Sequence, residues 1–396
     1  MSWGKVKVGD CCEVTSSKRI FFSEYVDSGV PFYRSKEIIE SSNGQAISEP
    51  LFISQEKYDE IKNHFGVPQP GDMLLTSVGT IGVPYIVREK DYFYFKDGNL
   101  TWFRNFSDEL NSKYLYFWVK SSEGQSVLNN TTIGSSQKAL TIASLKGLEI
   151  PCPPAPVQKR IVEILAGYDD LIENNQKQIK LLEEAAQRLY KEWFVDLRFP
   201  GHETTPIMDG VPEGWKEQSL YQIADVVMGQ SPKSEYYNQV GEGLPFHQGV
   251  GSYGNRFVSD ETYSTSFTRI AEAGSILFSV RAPVGRLNLT KNKVVIGRGL
   301  AAINHRRGAQ SYLFYLLKEK FFRDDIIGNG SIFASISKEE LLNQTFLIPI
   351  DSLVGQFNGI AGGIDKKIDI LSEQIRLLTE ARDRLLPKLM SGEIEV

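Results

Sequence analysis

The sequence predicts two mixed α/β globular domains in tandem repeat, each followed by a long helix, with the two helices packed as an antiparallel coiled coil. An internal repeat, short strand-like runs within it and two heptad patterns carry this prediction. The 396 residues suffice for two or three domains of about 100 to 200 residues each. We place the first domain at 1–150, the first long helix at 151–198, the second domain at 199–348 and the second long helix at 349–396.

The internal repeat emerges when the chain is compared with itself at shifts of about 200 residues. Residues 178–189 align with 374–385 at a shift of 196, and eight of the twelve positions are identical. Further matches follow in the same order, namely 70–76 with 273–279, 114–117 with 312–315, Gly134-Ser135 with Gly330-Ser331, and Trp3 with Trp215. Five collinear matches indicate a duplicated unit whose loops differ in length.

Each globular domain is expected to mix short strands with isolated helices. Runs rich in aromatic and β-branched residues at 92–95, 100–103 and 294–296 lie between turn signals and predict strands. Helical stretches at 112–120 and 310–320 interrupt them. Because strands and helices do not alternate regularly, the pattern does not favour a doubly wound parallel sheet.

The two long helices are predicted from heptad patterns. The first pattern follows the proline-rich segment 151–156 and runs to about Val195, and the second occupies the matching part of the other repeat. The seam positions are Leu165, Ile172, Ile179, Leu182 and Leu189 in the first helix and Ile368, Leu371, Ile375, Leu378 and Leu385 in the second. A narrow apolar seam over four heptads favours a coiled coil.

Ordinary amphipathic helices on separate cores are the alternative to the coiled coil. Helix length weighs against that alternative, because about 36 residues span about 54 Å, which is longer than a small domain is wide. If the first helix leaves domain one toward domain two, the second has to return. The simplest pairing is therefore antiparallel, with two similar domains held apart by the helix pair.

Composition excludes several protein classes. No run approaches the roughly 18 apolar residues of a membrane-spanning helix, and the charged segment Met1 to Asp10 lacks the apolar region of a signal peptide. Three cysteines, Cys11, Cys12 and Cys152, are too few for a disulfide framework or a paired CxxC zinc site, so we expect a reducing cytoplasm. With a net charge of -5, any surface for a polyanion has to be local.

Catalytic signatures are missing from the sequence. It contains no GxxxxGK(S/T) phosphate loop, no HExxH, and no Asn/Asp-Pro-Pro-Tyr/Phe run of the kind found in amino-methyltransferases. The four histidines are scattered without the spacing of metal ligands. We therefore expect no catalytic residue, no metal and no cofactor of the chain's own.

One stretch has the charge expected of a nucleic-acid surface. The 38 residues from Arg281 to Lys318 carry eight basic residues and no acidic one. We take as candidate DNA contacts Arg281, Arg286, Lys291, Lys293, Arg298, Arg306 and Arg307. The alternative is a solvated basic face that serves only solubility.

The first domain offers weaker candidates. Arg34 and Lys36 follow a Pro-Phe-Tyr run, and Ser135, Gln137 and Lys138 lie in a turn rich in hydrogen-bond donors. Each of these segments could equally be a structural loop.

The sequence closely resembles the specificity subunits of type I DNA restriction-modification systems over essentially its whole length. The motifs that carry the resemblance are WFVDLRFPG at 193–201, the helix opening at 150–161, VPEGW at 211–215, SVRAPVG at 279–285 and LLPKLMSGEI at 385–394. Two departures are visible. The second helix opens with Pro349-Ile350-Asp351 where the first has a proline-rich segment, and the first domain has Val78-Gly79-Thr80 where the second has Arg281-Ala282-Pro283.

The resemblance implies a non-catalytic DNA reader. It implies two α+β target-recognition domains that read the two halves of an interrupted, asymmetric site on double-stranded DNA. The long helices would serve as spacer and docking surface for two modification subunits, which hold S-adenosylmethionine and methylate adenine. Restriction subunits would supply ATP-driven translocation and cleavage.

Two other functions compete with this interpretation. A two-headed coiled-coil adaptor that binds proteins would share the repeat but would not need the acid-free stretch. A methyltransferase with degenerate motifs would need a cofactor pocket that the sequence gives little sign of.

Overall fold

The structure is a computed structural model that describes residues 3–45, 47–134, 138–321 and 335–396. Two compact units make up the chain. Unit 1 comprises Met1–Lys177 and Ser372–Val396, and unit 2 comprises Gln178–Leu371. Each long helix contributes one part to each unit.

The first repeat contains ten strands and seven α-helices among its described residues. The strands are β1 (Lys5–Lys7), β2 (Glu13–Thr15), β3 (Tyr25–Val26), β4 (Val30–Tyr33), β5 (Leu51–Ile53), β6 (Met73–Thr76), β7 (Pro84–Ile86), β8 (Tyr94–Phe95), β9 (Leu100–Arg104) and β10 (Glu149–Pro151). The helices are α1 (Val8–Cys11), α2 (Ser35–Ser42), α3 (Gln55–His64), α4 (Ser112–Lys120), α5 (Ser122–Thr131), α6 (Ile142–Lys146) and the long α7 (Ala155–Phe194).

The second repeat follows the same plan. Its described strands are β11 (Ile207–Met208), β12 (Val211–Pro212), β13 (Lys216–Ser219), β14 (Ala224–Met228), β15 (Tyr237–Asn238), β16 (Leu244–His247), β17 (Tyr263–Ser264), β18 (Ile270–Ala271), β19 (Ile276–Ser279), β20 (Leu287–Leu289), β21 (Val294–Ile296), β22 (Leu300–His305) and β23 (Thr345–Ile348). Its described α-helices are α8 (Leu220–Ile223), α9 (Gln310–Phe321), α10 (Lys338–Leu342) and the long α11 (Asp351–Ser391).

The sheets confirm the tandem repeat. Unit 1 has an antiparallel sheet of order β2-β9-β6-β7, and unit 2 has its counterpart β14-β22-β19-β20. A second sheet, β3-β5-β4-β8 in unit 1 and β15-β17-β16-β21-β18 in unit 2, contains one parallel pair in each case, β4 with β8 and β16 with β21. Strand β18 is the extra strand of unit 2.

Each unit has its own apolar core beneath the antiparallel sheet. All four residues of β6 are buried, as are all four of β19, so these central strands have apolar neighbours on both faces. Helix α4 packs Tyr114, Phe117 and Trp118 into the unit 1 core, and α9 does the same in unit 2 with its matching Tyr-Leu-Phe-Tyr run. Asn111 starts α4 by accepting backbone hydrogen bonds through its side chain.

The long helices run antiparallel in both units. In unit 1 the early part of α7, including Leu165, shares a core with the late part of α11, including Leu389. In unit 2 the late part of α7 packs against the early part of α11, and the rings of Tyr190 and Phe357 meet edge to face at 5.7 Å. Early residues of one helix therefore meet late residues of the other, as the sequence predicts.

Polar side chains interrupt the seam where the heptads are not apolar. Asn175 donates to Gln374 Oε1 at 3.4 Å, and Arg382 Nη1 lies 2.5 Å from Asp169 Oδ1. Both contacts lie in unit 1 and favour one register of the two long helices. Asn175 is a buried seam residue that holds a partner on the facing helix.

Candidate nucleic-acid interface

The fold surrounds the acid-free stretch with carboxylates from other elements. Ion pairs join Lys291 to Asp369 at 2.7 Å, Lys293 to Glu272 at 3.0 Å, Arg306 to Asp225 at 3.1 Å and Arg307 to Asp351 at 2.5 Å. Four of the eight basic side chains therefore have a local counter-charge that the linear sequence does not reveal. Such exposed pairs are worth at most about 1 kcal/mol each and can be opened by a competing phosphate.

Arg281 and Arg298 are exposed and differ from those four. Within the described ranges, neither guanidinium lies at ion-pair distance from a carboxylate. Arg281 forms an isolated antiparallel backbone bridge with Ser335. Arg298 is held in a tight turn directly after β21.

The last candidate of the stretch, Arg286, borders a cavity together with the final basic residue of the stretch, Lys318. Arg286 and Lys318 line a space of about 470 Å³ together with the buried Arg256. Arg256 is 4% exposed, bonds to Asp365 on α11, and lies 3.7 Å from Glu183 on α7. Its guanidinium also stacks 3.9 Å from the centre of the Phe314 ring.

This buried cluster is a structural anchor within unit 2. Arg256 joins a loop of the unit to both long helices, since Glu183 and Asp365 lie on different helices. Burial raises the pKa of the Glu183 carboxyl, although the Arg256 and Lys318 charges oppose that shift. Arg256 can be buried because the Glu183 and Asp365 carboxyl groups lie beside its charge.

The unit 1 candidates occupy mixed surroundings. Arg34 precedes α2 and binds the buried carboxylate of Glu37 at 2.5 Å, and this hydrogen bond raises the pKa of the guanidinium. Lys36 pairs with Glu49 at 3.0 Å. Lys138 is exposed beside a small backbone bridge between Ala139 and Val78, whereas Ser135 and Gln137 lie outside the described residues.

The predicted seam residues are all buried or half-buried. Leu165, Ile172, Ile368 and Leu371 are buried, and the other six are half-buried, namely Ile179, Leu182, Leu189, Ile375, Leu378 and Leu385. Apolar residues of the same helices outside the seam are far more exposed, with Leu171 at 52% and Leu181 at 64%.

A cluster that the sequence analysis missed lies where three strands of unit 2 end. Ser231 follows β14, Gln248 follows β16, and Arg298 follows β21. Ser231 Oγ donates to Gln248 Oε1 at 2.7 Å and accepts from the backbone N–H of Arg298 at 3.3 Å. We call these three residues the unit 2 edge cluster. They line an open pocket with a volume of about 970 Å³.

Glycines bring these strand ends into backbone contact. A Cβ atom on Gly297 would lie 2.6 Å from Gln248 Oε1, and one on Gly299 would lie 2.6 Å from the Gln248 carbonyl oxygen. No side chain fits at either position, so only Arg298 projects from this turn. The Gly-Arg-Gly run is visible in the sequence, but nothing in it points to Gln248 or Ser231.

The same edge of unit 1 holds different chemistry. The backbone N–H of Lys96 donates to the Tyr33 carbonyl at 2.8 Å, as Gly297 donates to His247 at 2.8 Å in unit 2, so the strand ends correspond. Beside this bond, Arg19 Nε lies 2.8 Å from Asp97 Oδ2. Two equivalent edges thus present different polar groups.

Metal and membrane sites have little support in the described part of the chain. It contains no group of three or more His, Cys, Asp or Glu side chains placed to hold a metal ion. Among those same residues, no helix combines the length and apolarity needed to cross a bilayer.

Comparison with known proteins identifies the family. The family model for the type I restriction modification DNA specificity domain matches residues 1–184 and 212–374. A Methanocaldococcus jannaschii protein assigned as the type I restriction enzyme MjaX specificity subunit is 30% identical over 338 residues, covering 82% of this chain and 79% of that protein. The MjaIX specificity subunit of the same organism is 26% identical over 419 residues, covering 100% of this chain and 94% of that protein.

A solved structure supports the fold. The chain is similar to the crystal structure of a type I restriction-modification S subunit from M. genitalium, with a TM-score of 0.61 and 16% identity over 98% of this chain and 96% of that one. The likeness extends to both repeats and both long helices. The chain therefore belongs to the type I restriction-modification DNA specificity family and is a specificity subunit of such a system.

Proposed function

We propose that the chain reads two different halves of an interrupted site on double-stranded DNA, one half with each unit. The observation that carries this proposal is the pair of corresponding sheet edges, which share a backbone arrangement but present different side chains. A rigid scaffold that presents variable loop residues is typical of recognition sites. Because the two edges differ, the two half-sites should differ as well, and the full site should be asymmetric.

The long helices are proposed to dock two modification subunits. Exposed apolar side chains on both helices support this assignment: Leu171 and Leu181 on α7, and Ile360, Ile370 and Leu377 on α11, are between 45% and 64% exposed. Exposed apolar side chains mark a protein-interaction surface where they form a contiguous patch. Restriction subunits would join the same complex and supply translocation and cleavage.

The chemistry is assigned to these partners. The chain would supply the DNA sequence specificity. The modification subunits would bind S-adenosylmethionine and transfer the methyl group to adenine. No residue of this chain is given a catalytic role.

The decisive experiment maps methylated adenines in DNA from cells that express the chain with its modification subunits. We expect methylation at one interrupted, asymmetric sequence, and none when the chain or the modification subunits are expressed alone. A nuclease footprint of the complex at moderate salt should cover the same sequence. Methyl transfer by the highly purified chain alone, or a complex that leaves no footprint, would contradict the proposal and favour an enzyme or a protein-binding adaptor.

A further inference from the structure

We propose that Gln248 and Arg298 are specificity-determining residues that contact base edges in the half-site read by unit 2. This assignment rests on the proposed DNA reading and adds to it the side chains that select bases. Arg298 suits a guanine and Gln248 an adenine, since these are the base edges that the two side chains match with paired hydrogen bonds.

Strand direction places the two residues together. Strands β16 and β21 are parallel, with Phe246 opposite Val295 and His247 opposite Ile296, so both strands end at the same edge. Gln248 comes directly after β16, and Arg298 comes two residues after β21. The backbone N–H of Gly299 donates to the Gln248 carbonyl at 3.1 Å and locks the two turns to each other.

Ser231 makes the pair a built site. Its hydroxyl bonds to the side chain of Gln248 and to the backbone of Arg298, at 2.7 and 3.3 Å. The amide of Gln248 is therefore oriented before DNA arrives, which reduces the entropy lost on binding. Ser231 acts as a positioning residue for both neighbours.

The free hydrogen-bonding groups face outward. Gln248 and Arg298 are both exposed, and within the described ranges Gln248 Nε2 has no acceptor and the Arg298 guanidinium has no carboxylate partner. Lys291 and Lys293, which precede β21 in the sequence, are engaged in ion pairs. The unit 2 edge cluster thus presents hydrogen-bond donors for which the acceptor atoms of a base edge can be partners.

The neutral amide favours base reading over a purely electrostatic phosphate contact. A phosphate contact gains mainly from positive charge, which Gln248 does not carry. An arginine beside a glutamine, both fixed on a sheet edge, supplies the groups that discriminate guanine and adenine in the major groove. The backbone of Arg269 borders the same edge, because its carbonyl accepts from the N–H of Ile296 at the end of β21.

The test uses the full chain in complex with its modification subunits and a DNA library randomised across both half-sites. Methylated molecules are sequenced for the wild type and for Arg298→Ala, Arg298→Lys and Gln248→Ala. We expect Arg298→Ala to reduce the preference for one guanine by about 5- to 150-fold. Gln248→Ala should relax an adenine preference in the same half-site, and the other half-site should be unchanged.

The conservative variant and one added control variant sharpen the result. Arg298→Lys keeps the charge but loses the planar, two-pronged donor, so overall binding should persist while the guanine preference relaxes. This variant also keeps the test valid if Arg298→Ala fails to fold. Lys338→Ala removes one exposed positive charge from α10 of the same unit and should leave every base preference unchanged.

The outcomes separate this inference from the proposed function. If the wild type selects no sequence at all, the proposed DNA reading fails. If the wild type selects two half-sites and the three edge variants select the same sequences with the same preference, the assignment of Gln248 and Arg298 is wrong while the proposed function stands. Uniform loss of binding without any change of preference would likewise overturn it, because that is the behaviour of phosphate contacts.

Discussion

Glu183 shows how a single half-buried carboxyl couples the anchor of unit 2 to pH. Its pKa is raised by burial, so the folded state holds a proton on this group at pH values where the unfolded chain has released it. The stabilising contribution is present below the unfolded pKa, about 4.3, and is lost as the pH rises through the folded pKa. Around and above neutral pH the ionised carboxyl therefore carries a desolvation cost.

Replacing Glu183 with glutamine should remove that cost. We expect Glu183→Gln to unfold at a higher temperature than the wild type at pH 8, with the difference shrinking as the pH falls toward about 4. Thermal unfolding followed by circular dichroism across this pH range provides the measurement. Glu184→Gln, at the exposed neighbouring position, serves as the control for the loss of one negative charge from α7. A variant less stable than the wild type at pH 8 would mean that attraction to Arg256 outweighs desolvation.

Lys291 and Lys293 allow the predicted phosphate surface to be tested despite their ion pairs. If both side chains exchange their carboxylates for DNA phosphates, replacing both with alanine should weaken binding to all sequences. The slope of log K against log salt should then fall by roughly 0.9 for each phosphate that is no longer neutralised. Binding of the complex to DNA, titrated between low and moderate salt, provides the slope. An unchanged slope and affinity would remove these two lysines from the interface.

At the scale of elements, Ile368 and Ile370 test the role of the seam. Both are isoleucines on α11, but Ile368 is 0% exposed and Ile370 is 45% exposed. Ile368→Ala should destabilise the chain by about 2–5 kcal/mol, because it removes buried apolar surface and leaves a cavity. Ile370→Ala should change stability by no more than about 0.5 kcal/mol. Urea unfolding of the two variants decides the point, and equal destabilisation would show that the seam is not what holds α11.

The long helices were predictable because their signal is local. A heptad pattern needs only its own segment, and α7 and α11 begin at Ala155 and Asp351, close to the predicted starts at 151 and 349. Pro153 and Pro154 precede α7, and Pro156 lies in its first turn, where proline is tolerated because the backbone N–H has no intrahelical partner. The run Val294–Ile296, predicted as a strand, is strand β21.

The edge cluster was not predictable because it is assembled by strand pairing. Gln248 and Arg298 lie far apart in the sequence and meet only because β16 and β21 run parallel. The carboxylates that pair with the basic stretch were not predictable for the same reason. Asp369, for example, contacts Lys291 from another element, α11. Sequence composition could indicate the charge of that stretch, but not which of its side chains the fold leaves unpaired.

At the scale of the whole chain, the helix pair is expected to set the gap between the half-sites. The two units divide at Lys177 and Gln178 on α7 and at Leu371 and Ser372 on α11. Duplicating 171–177 and 365–371 at these two points adds one heptad to each helix, about 10 Å, and keeps the seam pattern. We expect the mapped site to keep both half-sites with a gap about three base pairs longer, at about 3.4 Å per step.

A chain with the duplication in α7 alone serves as the control for this insertion. One unmatched heptad shifts the two helices past each other, so stability and methylation should fall together. In the matched pair of insertions, an unchanged gap with both half-sites still methylated would show that the helices are not the spacer.

The division of the chain into units also orders events during synthesis. Unit 2 is a continuous segment, whereas the core of unit 1 requires Leu386, Leu389 and Met390 from the last helix. On the ribosome the second repeat can therefore complete its fold while the first still exposes the apolar surface that α11 will cover, although domains usually finish in order from the N-terminus. We expect a nascent first repeat of this kind to bind chaperones until the final turns of α11 emerge.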